Sequence, residues 1–357
     1  MKAVVYEEYA PDDDFERILT VKEVEEPKAK PNQVVFQVKA AALNYNDIWG
    51  MRGTPIPVPL PHISGSDAAG EVIAVGEDVQ HIKVGDRVVS HSNMSCRVCA
   101  ACTDGREFDC RYRTIWGFET GPLWGGFAEV TYLPEVNVIK IPDNVSYDEA
   151  AAASMTLLTS WHMLVGRAEI KPGQTVLIMG GGSGVGSFGV QIAKLYNCTV
   201  IATASGDKLN KCLELGADYA VDHRKEDWPK EVRAITKEIA QKTGVLPGID
   251  VSFDHIGETH FNQQLTLLKY GGKLVQCGAT TGYNAKTDLR HIFFKGTSIF
   301  GSSQGTKAEV EQGFYWMSQG KIKAAIDSVY PFEKAAEAHT KMLTGKGLFG
   351  KILLKPE

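Results

Sequence analysis

Four cysteines stand at Cys96, Cys99, Cys102 and Cys110, a C-x2-C-x2-C-x7-C spacing in a stretch rich in charged and small residues. Thiolates this close in sequence can surround one ion tetrahedrally. The intervening Arg97, Ala100, Asp104, Gly105 and Arg106 suit a solvent-facing lobe, placed here at 93–113. Disulfides are the competing use of such cysteines, and they need an oxidising compartment. The chain opens MKAVVYEEY, with no basic segment followed by an apolar core, so the expectation is a cytoplasmic protein with one structural Zn²⁺. Adventitious binding, or a lobe that has lost its metal, is the alternative. Cys198, Cys212 and Cys277 lie in apolar strand-like or helical patterns and read as small core residues.

The second feature is a glycine-rich turn. Val176–Met179 is an apolar run with the look of a buried parallel strand; Gly180 to Gly186 follow, and then a helical pattern at Val190, Ile192, Ala193 and Leu195. Gly181, Gly182, Ser183, Gly184, Val185 and Gly186 would let the backbone approach a pyrophosphate at a helix N-terminus, where unpaired N–H groups and the helix dipole favour anions. A tight strand-to-helix connection with no ligand is the plainer reading of such a turn. A second strand, Thr199 to Thr203, ends about twenty residues further on, where a dinucleotide fold contacts the ribose. An NAD-type site would place an acid there, whereas this tip reads Thr203-Ala204-Ser205-Gly206-Asp207-Lys208. Thr203, Ser205 and Lys208 can instead receive a 2′-phosphate, which favours NADPH. Alternatively, Lys208 is a solvated residue at a helix start.

These residues need an α/β framework. The apolar runs VLIM, TVIAT, YAVD, DVSFD, GKLVQCG and SIFGS predict a doubly wound parallel sheet over 153–303. Segments 1–152 and 304–357 then form one discontinuous, β-rich catalytic domain, because about 50 C-terminal residues with no staple support only a marginal core. The late strand Thr297 to Phe300 is a candidate for pairing with a twofold mate, so a homo-oligomer, dimer or tetramer, is expected. His223 to Lys242 mixes both charges with Val232, Ile235 and Ile239 at helical spacing and reads as a solvated amphipathic helix. A net charge of −5 argues against nucleic acid or an anionic membrane as partner, and no apolar run has the length to span a bilayer.

The element order, with Gly65–Val79, Val84–Val89, Gly125–Val130 and Leu158–Leu164, resembles the medium-chain dehydrogenase/reductase superfamily over essentially the whole chain. That resemblance implies a GroES-like catalytic domain beside a Rossmann domain. Its zinc-dependent members carry Cys-x-Thr-Asp where this chain has Asn44-Tyr45-Asn46-Asp47, and Gly-His-Glu where it has Gly65-Ser66-Asp67; their third ligand falls near Met155. An amide, a hydroxyl and a thioether are not the ligands a catalytic zinc takes, so the resemblance implies hydride transfer with no catalytic metal.

Short motifs narrow the resemblance. Asn44-Tyr45-Asn46, His62–Asp67, Ile115–Thr120, Gly278–Asn284, Asp288-Leu289-Arg290 and Ala338–Met342 are similar to crotonyl-CoA carboxylase/reductases and related enoyl-CoA reductases. In that family NADPH delivers hydride to the β-carbon of a 2-enoyl thioester, and the enolate is protonated or attacks CO₂. A thioester carbonyl makes the β-carbon electrophilic without a metal, provided that donors stabilise the enolate oxygen. Asn44 and Asn46 are then candidate polar contacts, or amides that satisfy a buried loop. In the carboxylating relatives an Asn, a Phe-Glu pair and a His hold CO₂. Here Asn44 or Asn46, Phe118 and Glu119 match, but Ser303 replaces the His, which favours plain reduction. Glu119 relays a proton or orders the loop before Trp124. Arg290 matches an Arg at the adenosine-phosphate end of coenzyme A, with Lys295 nearby, although Arg290 can also simply pair with Asp288. Reductive carboxylase, quinone or alcohol oxidoreductase, and a non-catalytic NADPH-binding protein are the alternatives to a short-chain enoyl-CoA reductase of the crotonyl- or acryloyl-CoA type.

Overall fold

The computed structural model describes residues 1–356 and divides into two compact units, Met1–Leu158 with the segment from Thr306 onward, and Thr159–Gly305.

The second unit is built on a six-stranded sheet, all of its pairings parallel. Its order is Tyr219–Asp222, Thr199–Ala204, Thr175–Ile178, Ile249–Asp254, Leu268–Gln276, Ser298–Gly301. Thr175–Ile178 lies centrally because it is apolar on both faces, with Val176 in register with Val200 on one side and Val251 on the other. The order doubles back between Thr175–Ile178 and Ile249–Asp254, and in such sheets the crevice at that switch point receives the dinucleotide. Leu177, Met179, Ile201, Val221, Val232 and Leu274 form one buried cluster, and Val232 comes from the amphipathic helix Trp228–Thr243. Ser298–Gly301 is an outer strand of the sheet, and Ile299 on it is exposed.

The first unit centres on a seven-stranded sheet in which Gln33–Ala42 pairs with Asp67–Val75, with Val130–Pro134 and with the C-terminal strand Lys351–Lys355. Alternation along Gln33–Ala42 buries Val34, Phe36 and Val38 in a cluster with Val72, Val88, Trp116, Phe127 and Leu354. Two consequences matter for chemistry. Register Leu353↔Ala42, with Leu43 N–H bonded to Ile352 O at 3.0 Å, brings Lys351 beside Asn44. The short helix Tyr45–Arg52 starts at Asn44, where the Asp47 carboxylate accepts the Asn44 N–H at 2.7 Å, and it presses Ile48 and Met51 onto Tyr6, Val58 and Phe118. Among the described residues, no helix is long and apolar enough to cross a membrane.

Candidate functional site

Of the positions at which the resemblance would seat a catalytic zinc, Asn44 and Ser66 are buried and Met155 is half-buried, and each is bonded to a neighbouring polar residue. Asn44 Nδ2 donates to Asp67 Oδ2 at 2.8 Å, while Lys351 Nζ donates to Asn44 Oδ1 at 2.7 Å, to Leu43 O and to Asp67 Oδ2 at 3.4 Å. The N–H of Met155 donates to Asp67 Oδ1 at 2.9 Å. Both polar ends of Asn44 are therefore engaged by protein. Asn46 differs. Its Nδ2 bonds Ser66 Oγ at 3.0 Å, and Oδ1 is buried with no partner among the described residues. Whichever way the group is turned, one buried polar end stays open, at a cost that a substrate contact would relieve. Burial pushes the Asp47 carboxyl up to about 7, against the backbone donors Asn44 N–H and Gly65 N–H and the nearby Lys351 ammonium.

Gly117 lies against the backbone of Gly65 and Ser66. A Cβ on Gly117 would stand 2.1 Å from Gly65 O, and its φ of +73° is also one that glycine alone adopts easily. Phe118 is buried, its ring 3.5 Å from where a Cβ on Gly50 would be, one turn beyond Asn46. Glu119 Oε2 accepts the Ile115 N–H at 2.7 Å, which orders the loop. Asn46 and Ser66 are thus bonded to each other, while Phe118 packs against the helix that carries Asn46 and Glu119 is turned to Ile115.

In the other unit, Ser183 caps the helix Gly184–Leu195 by accepting the Gly186 N–H at 2.8 Å, and its Oγ lies 3.0 Å from His255 Nε2. Gly186 must be glycine because a Cβ would meet Gly180 O at 2.1 Å. N–H groups of the first helical turn, Gly184 and Val185, have no intrahelical acceptor, so the turn fits a pyrophosphate. Thr203 is fully buried and accepts the Gly180 N–H at 3.1 Å; it braces the turn from behind, which corrects the expectation of a cofactor contact. Strand Thr199–Ala204 ends on Ala204, and Ser205 and Lys208 follow, half-buried. Arg290 pairs with Asp288 at 2.6 Å and remains largely exposed. Lys295 is half-buried, and its ammonium donates to the carbonyls of Leu265, Thr266 and Leu268 at the end of the helix Phe261–Leu267. Ser303 is exposed.

The Sγ atoms of Cys96, Cys99, Cys102 and Cys110 all lie within 4.8 Å of one another, with near contacts of 3.6 to 3.9 Å. Four sulfurs about 2.3 Å from a common tetrahedral ion stand about 3.8 Å apart, so the four thiols fit one zinc. Among the described residues this is the only group of three or more His, Cys, Asp or Glu side chains so placed.

Sequence reasoning missed Lys351 and the bonding of Asp47. The second had a signal: Asn followed three residues later by an acid is a helix-start pattern. Lys351 had none, because its position depends on a pairing 307 residues away in sequence.

Comparison with known proteins agrees with this anatomy. Residues 30–143 match the alcohol dehydrogenase GroES-like domain and residues 184–319 the zinc-binding dehydrogenase domain. A crotonyl-CoA carboxylase/reductase of Cereibacter sphaeroides is 31% identical over 351 residues, covering 92% of this chain and 81% of the relative. A solved NAD-dependent alcohol dehydrogenase superposes with a TM-score of 0.92 at 37% identity, over 100% of both chains. A 2-octenoyl-CoA carboxylase reductase in complex with NADP and 2-octenoyl-CoA gives 0.88 at 26% identity, over 99% of this chain and 87% of the other. The chain belongs to the medium-chain dehydrogenase/reductase superfamily, a GroES-like domain joined to a Rossmann domain, and stands close to its enoyl-CoA reductases.

Proposed function

We propose that this oxidoreductase reduces a short-chain 2-enoyl-CoA, of the crotonyl- or acryloyl-CoA type, to the saturated acyl-CoA, with little or no carboxylation. The observation that carries the reading against an alcohol dehydrogenase is the Asn44–Asp67–Lys351 cluster. Where zinc would need thiolate and imidazole, the chain has an amide held between an ammonium and a carboxylate, with Ser66 and Met155 beside it. A zinc-dependent alcohol dehydrogenase stabilises its alkoxide with such a metal, whereas conjugate reduction needs only hydrogen-bond donors at the thioester oxygen.

NADPH, when bound, supplies the hydride that adds to the β-carbon. The N–H groups at Gly184 and Val185 hold its pyrophosphate, and Ser205 and Lys208 favour the 2′-phosphate over a bare ribose. With its amide turned so that Oδ1 accepts from Ser66 Oγ–H, Asn46 offers its NH₂ end to the substrate oxygen as the enolate forms. Phe118 keeps water from that side, and Glu119 steers a proton towards the α-carbon. Arg290 contributes a cation for the phosphates of coenzyme A. One structural zinc fills the four-cysteine lobe, no metal acts in the reaction, and copies of the chain associate through the outer strand Ser298–Gly301. NADPH oxidation measured in turn with crotonyl-CoA, a quinone and an aldehyde tests the reading: turnover confined to the thioester supports it, and turnover confined to either of the others refutes it.

A further inference from the structure

We propose that Arg224, held in place by Asp222, forms the far wall of the 2′-phosphate site and sets the preference for NADPH; this deepens the cofactor reading above and rests on it. Strand Tyr219–Asp222 runs parallel to Thr199–Ala204 with Ala204 opposite Asp222, and the His223 N–H donates to Ala204 O at 3.3 Å. The segment that follows is thereby pinned against the tip Ser205-Gly206-Asp207-Lys208. Asp222 grips Arg224 three times, accepting its backbone N–H at 3.0 Å, Nε at 3.1 Å and Nη2 at 2.9 Å. The guanidinium so fixed is 62% exposed and keeps donors, including Nη1, that Asp222 does not take.

Gly206 supplies the opening. It turns the chain at a φ of +57°, and a Cβ built there would meet only Arg224 Nη2, at 3.9 Å. The Arg224 guanidinium therefore borders the otherwise open side of the Gly206 turn, where its planar fork can meet the oxygens of a phosphate seated at the tip. His223 is the residue before Arg224, its ring tilted against that of His260 at 5.7 Å between centroids, with a buried Nδ1 that has no partner among the described residues. A dinucleotide without a 2′-phosphate gains nothing from this fork, since Ala204 stands where an acid would take the ribose hydroxyls.

The test is calorimetric titration of the unmodified protein and of Arg224→Ala with NADP⁺, NAD⁺, 2′,5′-ADP and 5′-AMP, with melting curves to show that the exposed substitution leaves the fold intact. The expected result is a loss of about 10- to 100-fold for NADP⁺ and 2′,5′-ADP and almost none for NAD⁺ and 5′-AMP. If the unmodified protein prefers NADP⁺ but Arg224→Ala weakens both dinucleotides equally, or neither, this proposal fails and the cofactor reading stands. Tighter binding of NAD⁺ by the unmodified protein overturns the cofactor reading and this proposal together.

Discussion

Replacing Lys351 by Met keeps the aliphatic volume and removes the ammonium, and its cost follows from what remains. Lys351 is 5% exposed and Asp67 fully buried; without the cation, Asp67 keeps only the Asn44 Nδ2 and Met155 N–H donors, while Asn44 Oδ1 and Leu43 O each lose a donor. Breaking one side of a buried pair in this way costs about 3–5 kcal/mol. Replacing both partners, Lys351→Met with Asp67→Asn, removes the stranded charge and should recover most of that loss. The single variant also has a pH signature. Asp47 is already pushed up to about 7 by burial, and losing the ammonium that opposes this raises both buried carboxyls further. A carboxyl whose folded pKa is raised favours the folded state at low pH and loses that advantage as pH rises through the folded value, so the penalty should be smaller at pH 5 than at pH 8. Urea unfolding of the two single variants and the double variant, at both pH values, measures all of this. A Lys351→Met cost below about 1 kcal/mol, or a double variant as unstable as the sum of the singles, would refute the buried-cation account.

Elemental analysis should return one zinc per chain, and chelation or Cys110→Ala should lower stability before it alters the chemical step, since a structural site contributes folding free energy; two zincs would contradict the donor assignment at Asn44 and Ser66. Supplied with NADPH, enoyl-CoA and saturating CO₂, the protein should release mainly the saturated acyl-CoA, and Ser303→His should raise the carboxylated fraction; a mostly carboxylated product from the unmodified chain would make it a carboxylase. His339 is buried between Phe15 and Phe127, its Nδ1 bonded to Ala335 O at 2.7 Å, and burial lowers its pKa to about 4. The unfolded chain binds that proton more readily, so stability is present above pH 6.5 and is lost as pH falls towards 4; His339→Leu should flatten that slope, and an unchanged acid limb would show that another group governs it.

What could be read from the sequence was what local pattern encodes. Six apolar runs separated by helical periods give the Rossmann sheet, because a strand buried on both faces has to be apolar throughout. The cysteine spacing likewise leads to sulfurs at tetrahedral separations, since ligand geometry over fifteen residues is set locally. Residues with tertiary partners were not legible. Thr203 has the chemistry of a phosphate ligand and is turned inward onto Gly180; Lys295 has the charge for coenzyme A and directs it to the carbonyls of Leu265, Thr266 and Leu268 at a helix end. Asn44 and Asn46, two positions apart, look alike in sequence. The C-terminal strand separates them, by delivering Lys351 to one and leaving the other with an open end.

Transfer of label from NADPH deuterated at its hydride position tests the central claim most directly. With crotonyl-CoA as acceptor, the product should be butyryl-CoA carrying deuterium on the β-carbon, with the α-proton drawn from solvent. Absence of label from the β-carbon, or NADPH oxidation that proceeds only with an aldehyde or quinone, would contradict the account.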